Sequence, residues 1–421
     1  MKVLYNLSIF LLGLGLRLLT PFNTKAREFV TGRKGIFKKI ALALKDNTQP
    51  VIWVHCASLG EFEQGRPVIE ALKKEFQDLK ILLTFFSPSG YRVRKNYQGA
   101  DHVFYLPLDT ARNAKKFIRH VDPRLAIFIK YEFWFHYSRT LRKKKIPLIS
   151  ISSIFRKEQF FFRKMGSFNR RILRNFTHFF VQNHESADLL QSINFYNVTL
   201  SGDTRFDRVN QIVASGSEIE IAKKFKNEEK VFVVGSAWRE DLDVLLPFIN
   251  EGKLKFIIAP HEINNQQIAS LRRSLVVKSI LFSEAEGKHL DDCSVLIIDN
   301  VGLLSRLYRY GEFAYIGGAF GKGLHNILEA ACYGVPVLFG NKNYEKFQEA
   351  LDLINRGGAF PVADYPDLKR TFEMLNTPQT FLLACEVCRQ YVVENMGATE
   401  KIMQYCRQVL GTPSQPQELT T

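Results

Sequence analysis

The chain lacks the features that hold small or repetitive proteins together. Its six cysteines, at positions 56, 293, 332, 385, 388 and 406, show no disulfide framework, so a reducing compartment is expected. Cys385 and Cys388 form a C-x-x-C, but no second pair or nearby histidine completes a metal site, and buried thiols are predicted. We find no internal repeat and no low-complexity tract, and only the apolar-poor residues 411–421 are expected to form a flexible tail.

Acidic residues are scarce in two segments of the N-terminal half. Residues 1–50 hold nine Lys/Arg and two Asp/Glu, and residues 139–174 hold twelve Lys/Arg and a single acid, Glu158. The two segments together carry more positive charge than the net +16 of the whole chain, so the remainder is nearly neutral. A basic surface is therefore predicted in this half, and it would suit nucleic acid, anionic lipid or a phosphorylated substrate.

The first residues favour lipid among those partners. The run "VLYNLSIFLLGLGLRLL" is apolar over about 17 residues, the short limit for a spanning helix. A signal peptide is the rival interpretation, but no small-residue cleavage site follows, and basic residues do. We predict an uncleaved anchor or interface helix over residues 1–24, with basic residues on the cytoplasmic side. A soluble helix that packs on a domain stays open as the alternative.

Short apolar runs alternate with amphipathic segments in both halves. The runs predict strands at 51–54, 81–85, 125–129, 147–151, 179–182, 231–235, 255–259, 294–298, 313–316 and 335–338. They are too uniformly apolar to alternate, as strands buried on both faces should be. Between them, "GRPVIEALKKEFQD" repeats apolar residues every three to four positions and predicts a helix.

This alternation predicts an α/β protein with parallel sheets covered by helices. The polar segment 208–230 contains Ser-Gly-Ser and is predicted to link a domain over 25–207 to a second over 231–410. We expect two doubly wound, Rossmann-like domains that face a central cleft, where ligands bind at the C-terminal ends of the strands.

The most informative stretch is "FAYIGGAFGKGLHNILEAACYGVPVLFGNKNYEKFQEA", which begins at residue 313. A strand ends at Gly317-Gly318, a loop with Gly323 follows, and a helix is predicted to begin near His325-Asn326. Glycines let the backbone approach a ligand closely, and a helix N-terminus presents free N–H groups to phosphate. One turn later, Glu329 could accept hydrogen bonds from ribose hydroxyls. A tight strand–helix turn without a ligand is the alternative.

This stretch resembles the nucleotide-binding motif of glycosyltransferases with the GT-B fold, and in particular that of the 3-deoxy-D-manno-octulosonate (Kdo) transferases. The family pattern is "GG-(S/A)-F-x-x-x-G-x-HN-x-LE", which the chain matches at Gly317, Gly318, Phe320, Gly323, His325, Asn326, Leu328 and Glu329. Other family elements follow in order: "HCASLGE" (55–61), "YEFWF" (131–135), "SGDTRFDR" (201–208), "GSAWREDLD" (235–243) and "APHEIN" (259–264). The last lacks the arginine that precedes the family's histidine, and Arg205, Lys322 and Arg239 are the candidate replacements.

The resemblance implies an inverting transfer of Kdo from CMP-Kdo to a lipid A precursor, at the cytoplasmic face of the inner membrane of a Gram-negative bacterium. Residues 25–207 would bind the acceptor and 231–410 the nucleotide. It implies that Glu61 is the catalytic base and that Ser58, Gly60 and Glu132 contact the acceptor or donor sugar. The implied nucleotide-binding residues are Arg205, Ser236, His261, Glu262, Gly317, Gly318, Gly323, Asn326 and Glu329. Basic residues and Phe160 to Phe162 would meet lipid phosphates and the membrane surface.

The residues themselves leave two interpretations of Glu61 open. An acid in the first turn of a helix is favoured by the helix dipole, whatever its chemistry. A carboxylate can also take the proton of an acceptor hydroxyl, as sugar transfer from a nucleotide requires. No D-x-D motif stands out as a holder of a divalent ion, so a reaction without metal or other cofactor is expected. His55 is interpreted as a core histidine.

Two alternatives remain. One keeps the fold but uses a UDP-sugar, as another glycosyltransferase or a sugar epimerase would. The other is a basic, non-catalytic protein that binds membrane or nucleic acid through phosphate contacts. It leaves the glycine-rich loop and the ordered motifs without a role, so nucleic acid is not an expected partner.

Overall fold

A computed structural model describes residues 1–216 and 218–411, and its strands form two parallel sheets. The strands of the first sheet are β1 (Val51–Cys56), β2 (Lys80–Phe85), β3 (His102–Tyr105), β4 (Pro123–Ile129), β5 (Leu148–Ser153), β6 (His178–Val181) and β7 (Val198–Leu200). Those of the second are β8 (Val231–Ala237), β9 (Lys255–Pro260), β10 (Ser279–Leu281), β11 (Val295–Ile297), β12 (Phe313–Ile316), β13 (Val337–Gly340) and β14 (Ala359–Val362).

The α-helices connect these strands and cover the sheets. Those before residue 217 are α1 (Lys2–Leu18), α2 (Thr24–Gly32), α3 (Ile36–Ala43), α4 (Leu59–Glu75), α5 (Pro88–Arg94), α6 (Ala111–Val121), α7 (Phe135–Lys143), α8 (Ser167–Leu173), α9 (His184–Ser192) and α10 (Thr204–Ala214). Those after it are α11 (Glu220–Lys226), α12 (Arg239–Ile249), α13 (Asn265–Ser274), α14 (Leu304–Leu307), α15 (Leu328–Ala331), α16 (Gln348–Arg356), α17 (Tyr365–Leu375), α18 (Pro378–Glu394) and α19 (Ala398–Leu410).

Both sheets are doubly wound. The first has the order β3-β2-β1-β4-β5-β6-β7 and the second the order β10-β11-β9-β8-β12-β13-β14, with every pairing parallel. The strand order therefore reverses between β1 and β4 in the first sheet and between β8 and β12 in the second. Ligands of such sheets bind at this reversal, beyond the C-terminal ends of the strands.

The predicted α/β class with two parallel sheets is confirmed, and each of the ten predicted strands is present. Four further strands, β3, β7, β10 and β14, were not predicted. All four lie at the outer edges of the two sheets. The helix predicted within 65–78 is α4, whose Val68, Ile69 and Leu72 are buried in the core of the first sheet.

The described residues divide into two compact units, one of residues 1–208 with 396–411 and one that begins at residue 209 and ends at residue 395. The prediction that residues 231–410 form the second domain is therefore wrong for residues 396–410, which belong to the first unit. The physical reason is the apolar face of α19, where Ile402, Met403 and Cys406 are buried in the same core cluster as α4. The predicted linker 208–230 instead contains the end of α10 and all of α11. The predicted tail lies, except for Gly411, outside the described residues.

The first helix packs on the first unit along one face. Ile9 is buried, Tyr5 donates a hydrogen bond to Asp109 at 2.5 Å, and Asn6 pairs with His136 at 2.7 Å. On the rest of the helix, the side chains of several apolar residues are exposed to solvent, namely Leu4, Leu7, Phe10, Leu11, Leu14 and Leu18. Among the described residues, no helix has both the length and the apolar character needed to cross a membrane.

Candidate active site

The two carboxylates singled out in the first half lie at the reversal point of the first sheet. Glu61 stands in the first turn of α4, which directly follows β1, and Glu132 follows β4. Because β1 and β4 are adjacent parallel strands, their C-terminal ends meet at the same edge. The fold thus brings Glu61 and Glu132 together, although 70 residues separate them in sequence.

Glu61 completes a capping box at the start of α4. The Ser58 hydroxyl accepts a hydrogen bond from the Glu61 N–H at 3.4 Å, and Glu61 Oε2 accepts from the N–H groups of Ser58 and Ala57, at 3.2 and 2.5 Å. This arrangement satisfies backbone groups that a helix start would otherwise leave unpaired. Glu61 Oε1 takes part in no hydrogen bond within the described residues. One oxygen is therefore structural and the other is available for chemistry.

Burial and charge make Glu61 a weaker acid than usual. Burial, and after it the nearby charge of Glu132, raise the pKa of its carboxyl group to about 7. The N–H groups of Ala57 and Ser58 and the charge of Lys130 oppose this rise. A carboxylate whose pKa lies near neutral pH is matched to proton transfer at that pH.

Glu132 is held from two sides. Its Oε2 lies 3.0 Å from His55 Nε2 and accepts a hydrogen bond of 2.6 Å from the indole N–H of Trp134. His55 is fully buried, and its Nδ1 lies 2.9 Å from the hydroxyl of Thr84. His55 is thus a core histidine whose two ring nitrogens both have partners, and it also fixes Glu132. Sequence reasoning did not find this second role.

Gly65 was not singled out, although it brings α4 close to the sheet. A Cβ atom at Gly65 would lie 2.9 Å from Ile129 Cδ1, closer than ordinary side-chain contacts. At Gly60 a Cβ atom would approach its nearest neighbour, Ser58 Oγ, only to 4.0 Å. The small residue that positions Glu61 is therefore Gly65 as much as Gly60. The available signal in the sequence was the glycine itself, because Gly65 lies on the otherwise apolar face of α4.

Asp241 organises the corresponding edge of the second sheet. It is fully buried and accepts hydrogen bonds from the N–H groups of Trp238 and Gly318 and from the hydroxyl of Tyr315. It therefore joins α12 to the loop that follows β12. Asp241-Leu242-Asp243 does spell a D-x-D, which sequence reasoning overlooked, but the three donors occupy Asp241. Within the described residues, no group of three or more His, Cys, Asp and Glu side chains is arranged to hold a metal ion.

The glycine-rich loop follows β12 as predicted, but the helix after it differs from the prediction. A Cβ atom at Gly317 would lie 2.3 Å from the carbonyl oxygen of Ser236, and Gly318 and Gly323 have φ values of +99° and +131°. The helix expected near His325-Asn326 is the single turn α15, which begins only at Leu328. The Asn326 side chain donates to Glu329 Oε1 at 3.2 Å, so these two predicted residues do meet.

Three rings lie beside this loop. The ring of Trp238 stacks on His261 at 4.0 Å, His261 lies 4.6 Å from His325, and the Trp238 indole N–H donates to His325 Nε2. Burial lowers the pKa of His325 to about 4 and also lowers that of His261. Both imidazoles are therefore neutral near pH 7. The cation at this platform is Lys322, whose ammonium lies 4.7 Å from the Trp238 ring centroid.

The remaining predicted nucleotide residues are spread more widely. Ser236 has φ +54°, a left-handed conformation that a serine rarely adopts, at the C-terminal end of β8. Glu262 is exposed and lines a cavity of about 580 Å³ together with Trp238 and His261. Arg205 belongs to the first unit, where its Nε donates to Asp203 at 2.8 Å.

Solved structures with the same fold include sugar-nucleotide enzymes. UDP-GlcNAc 2-epimerase from Neisseria meningitidis, bound to UDP-GlcNAc, superposes with a TM-score of 0.60 at 16% identity, over 86% of this chain and all of that one. A glycosyltransferase from Rickettsia africae gives 0.55 at 11% identity, over 86% and 99% of the two chains. At these identities the likeness shows the fold alone, which transferases and epimerases share. The fold is therefore GT-B-like, with two doubly wound parallel sheets that each have one reversal point.

Sequence comparison decides within this class. Residues 31–208 match the family model of 3-deoxy-D-manno-octulosonic-acid transferase (kdotransferase). The chain is 28% identical to the 3-deoxy-D-manno-octulosonic acid transferase of Aquifex aeolicus over 322 residues, 74% of this chain and 82% of that protein. The enzyme of the same name from Rickettsia felis is 25% identical over 86% and 78% of the two chains. The chain is a glycosyltransferase that is similar to Kdo transferases over most of its length and matches the family's model at residues 31–208.

Proposed function

We propose that the protein transfers Kdo from CMP-Kdo to a lipid A precursor of the lipid IV-A type, in lipopolysaccharide biosynthesis. The observation that carries the proposal is Glu61, a half-buried carboxylate with a pKa of about 7 at the sheet reversal of the domain that matches the Kdo transferase model. In the reaction, an acceptor hydroxyl attacks the anomeric carbon of Kdo. A glycosidic bond forms, the bond to the CMP phosphate oxygen breaks, and Glu61 takes the hydroxyl proton. A single displacement of this kind inverts the configuration.

Acceptor binding is assigned to the first unit. A cavity of about 430 Å³ beside Glu132 is lined by Tyr5, Tyr131, Phe133, Trp134, Gln159 and Phe161. A second cavity, of about 700 Å³, is lined by five cations and no acid, namely Lys2, Arg139, Arg142, Arg171 and Arg174. Aromatic walls suit a sugar or acyl surface, and unpaired cations suit the phosphates of a lipid A precursor.

Membrane association at the cytoplasmic face of the inner membrane is part of the proposal. It is supported by the exposed apolar positions of α1 and by the basic segments 1–50 and 139–174. Of the three phenylalanines expected at the interface, Phe160 is exposed, Phe162 is half-buried and Phe161 is buried. The expectation that all three meet lipid is therefore wrong for Phe161, which packs against Phe133 and Phe155.

Donor binding is assigned to the second unit. The platform of Trp238, His261 and His325 offers a stacking surface, and Lys322 replaces the arginine that the "APHEIN" segment lacks. With neutral imidazoles, the positive charge for a phosphate comes from lysine. No resident cofactor is proposed, and the reaction is proposed to need no metal.

A donor panel tests this function. CMP-Kdo is generated enzymatically just before use, and the generating enzyme is then removed. The purified protein is incubated with this CMP-Kdo and a tetraacylated lipid A precursor, in buffer with EDTA and in buffer without it. The expected product carries Kdo, forms equally with EDTA, and does not form from UDP-GlcNAc. Transfer from the UDP-sugar, or epimerisation of UDP-GlcNAc, would contradict the proposal. Either result would favour the alternative that the protein is a GT-B enzyme acting on a UDP-sugar. Loss of product with EDTA alone would contradict the metal-independent step.

A further inference from the structure

A cavity of about 420 Å³ lies in the first unit between α1, the α2–α3 turn and α6. It is separate from the carboxylates described above, since neither Glu61 nor Glu132 lines it. Its lining contains four cations and no Asp or Glu: Arg17, Arg33, Lys38 and Lys116. A concave surface with positive charge only attracts an anion, because the like charges would otherwise repel one another.

Arg33 is the fixed element of this cavity. Its guanidinium donates to the main-chain oxygens of Phe29, Phe86 and Leu106, at 3.0, 2.6 and 2.8 Å. It also lies 3.5 Å from the Phe29 ring centroid and forms no ion pair among the described residues. Burial lowers the pKa of Arg33 to about 9. A buried cation held by neutral groups only would gain from a nearby anion.

The other cations approach from different elements. Arg17 is on α1, Lys38 is in the first turn of α3, and Lys116 is on α6 with its ammonium 4.7 Å from the Phe37 ring centroid. None of these three makes a hydrogen bond or ion pair with an acid in the described residues. Gly35, the residue before α3, has φ +66° and places no side chain over the cavity that it lines.

The remaining walls of the cavity are apolar. Leu16, Phe29, Val30, Ile36, Phe37 and Leu108 line it. On α1, Leu14 and Leu18 lie next to Arg17 and expose 41% and 67% of their surfaces, so apolar surface continues from the cavity mouth along the helix. A free phosphate would use only the cations, whereas a lipid would use both surfaces.

From this arrangement we propose that the cavity between α1, α3 and α6 binds the phosphate of an anionic bilayer phospholipid. The four cations contact the phosphate, and the acyl chains leave along the exposed apolar side of α1. This inference rests on the proposed membrane association but not on Kdo transfer. It assigns to the first unit a lipid site distinct from that of the acceptor, and it fixes which side of α1 faces the bilayer.

The test is a titration of the full-length protein with dihexanoyl phosphatidylglycerol below its micelle concentration, followed by calorimetry. The variant Lys38→Ala with Lys116→Ala removes two cavity cations. The matched control, Lys39→Ala with Lys115→Ala, removes one lysine from each of the same helices at positions that do not line the cavity. Both variants lose the same net charge, and thermal melting shows whether each is folded.

We expect the cavity variant to bind the lipid about 30-fold more weakly and the control to match the wild type. Glycerol 3-phosphate is expected to bind much more weakly than the lipid, and dihexanoyl phosphatidylcholine not to bind measurably. Equal weakening in both variants would overturn the site in favour of diffuse charge attraction. Equal binding of glycerol 3-phosphate would overturn the lipid assignment, and no binding by the folded wild type would overturn the whole proposal. Donor and acceptor are absent, so failure here is distinguishable from failure of Kdo transfer, which the donor panel measures.

Discussion

At the residue scale, Glu61 combines a structural contact with the proposed catalytic role. Its Oε2 closes the capping box of α4, and its Oε1 has no hydrogen-bond partner among the described residues. The helix-start interpretation and the base interpretation are therefore compatible. The hydrogen bonds of the capping box hold the carboxylate in place. The raised pKa means that the carboxylate can bind a proton near neutral pH.

The pH dependence of transfer should report this pKa. A base acts in its deprotonated form, so kcat/KM is expected to rise with pH through about 7 and to level off above it. Glu132→Gln removes a negative charge that raises the pKa of Glu61, so the rise should move to lower pH. Because Glu132 also lies in the site, its substitution can lower the plateau value of kcat/KM. The pH at the midpoint of the rise is therefore compared separately from that plateau.

Glu63→Gln is the control for this shift. Glu63 is on the same helix, pairs with Arg66 and Arg94, and is not among the causes of the raised pKa of Glu61. Its substitution should leave the rise in place. A rise that stays put in Glu132→Gln, or moves equally in Glu63→Gln, would contradict the electrostatic account.

The sequence identified Glu61 and Glu132 through their motifs, but it did not show what holds them. His55 meets Glu132 only because β1 and β4 are adjacent strands. Likewise, the stack of Trp238 on His261 depends on the adjacent strands β8 and β9. Pairings of this kind are long-range, and local patterns do not encode them.

At the element scale, sequence patterns predicted the central strands and missed the edges. A central strand is buried on both faces and reads as an uninterrupted apolar run. The edge strands β3 and β10 begin with His102 and Ser279, and β14 contains Pro361, whose missing N–H is tolerated at an edge. Such short, mixed segments resemble loops in sequence, so their pairing becomes evident only from the assembled sheet.

The return of α19 to the first unit was also missed, and Asp207 explains it. Its carboxylate accepts hydrogen bonds from the N–H groups of Gly397 and Thr399, at 2.7 and 2.6 Å, and so caps the start of α19. Asp207 belongs to the "SGDTRFDR" segment, for which the sequence indicated a family resemblance but no structural role. Its partners are 190 residues away in sequence, which local reasoning does not bridge.

Asp207→Ala should therefore loosen α19. We expect a loss of about 1–2 kcal/mol in the free energy of unfolding, because two helix-start N–H groups lose their acceptor. Hydrogen exchange should accelerate first in residues 398–410. The exposed Asp188, on α9, serves as the control, and Asp188→Ala should change stability by less than about 0.5 kcal/mol. Unchanged exchange in α19 would refute the capping role.

At the scale of the whole molecule, charge and exposed apolar surface collect in the first unit. The exposed leucines of α1 and the basic segments 1–50 and 139–174 all belong to it. The sequence predicted this asymmetry from composition alone. It did not predict that α1 packs on the domain through Tyr5, Asn6 and Ile9, since the helix is apolar on nearly every side.

Vesicle binding should depend on the apolar face of α1. Leu11→Asp with Leu18→Asp is expected to weaken binding to anionic vesicles at least about tenfold, because two apolar side chains are lost from the interface. Leu382→Asp with Leu383→Asp, on α18 of the second unit, is the control, since these leucines are 67% and 65% exposed against 53% and 67% for Leu11 and Leu18. Cosedimentation measures both. An equal effect of the two pairs would show that α1 has no special part in binding.

The central claim is that the proposed Kdo transfer uses Glu61 as its base, and a single-turnover comparison tests it most directly. Wild type and Glu61→Gln are mixed with CMP-Kdo and a lipid A precursor, and CMP affinity is measured in parallel. Glutamine can still accept the two N–H bonds of the capping box, so the helix start should persist. The account predicts a loss of about 10²-fold or more in the rate of transfer, with CMP affinity retained. Equal transfer by both proteins would mean that Glu61 only caps α4 and that the base lies elsewhere.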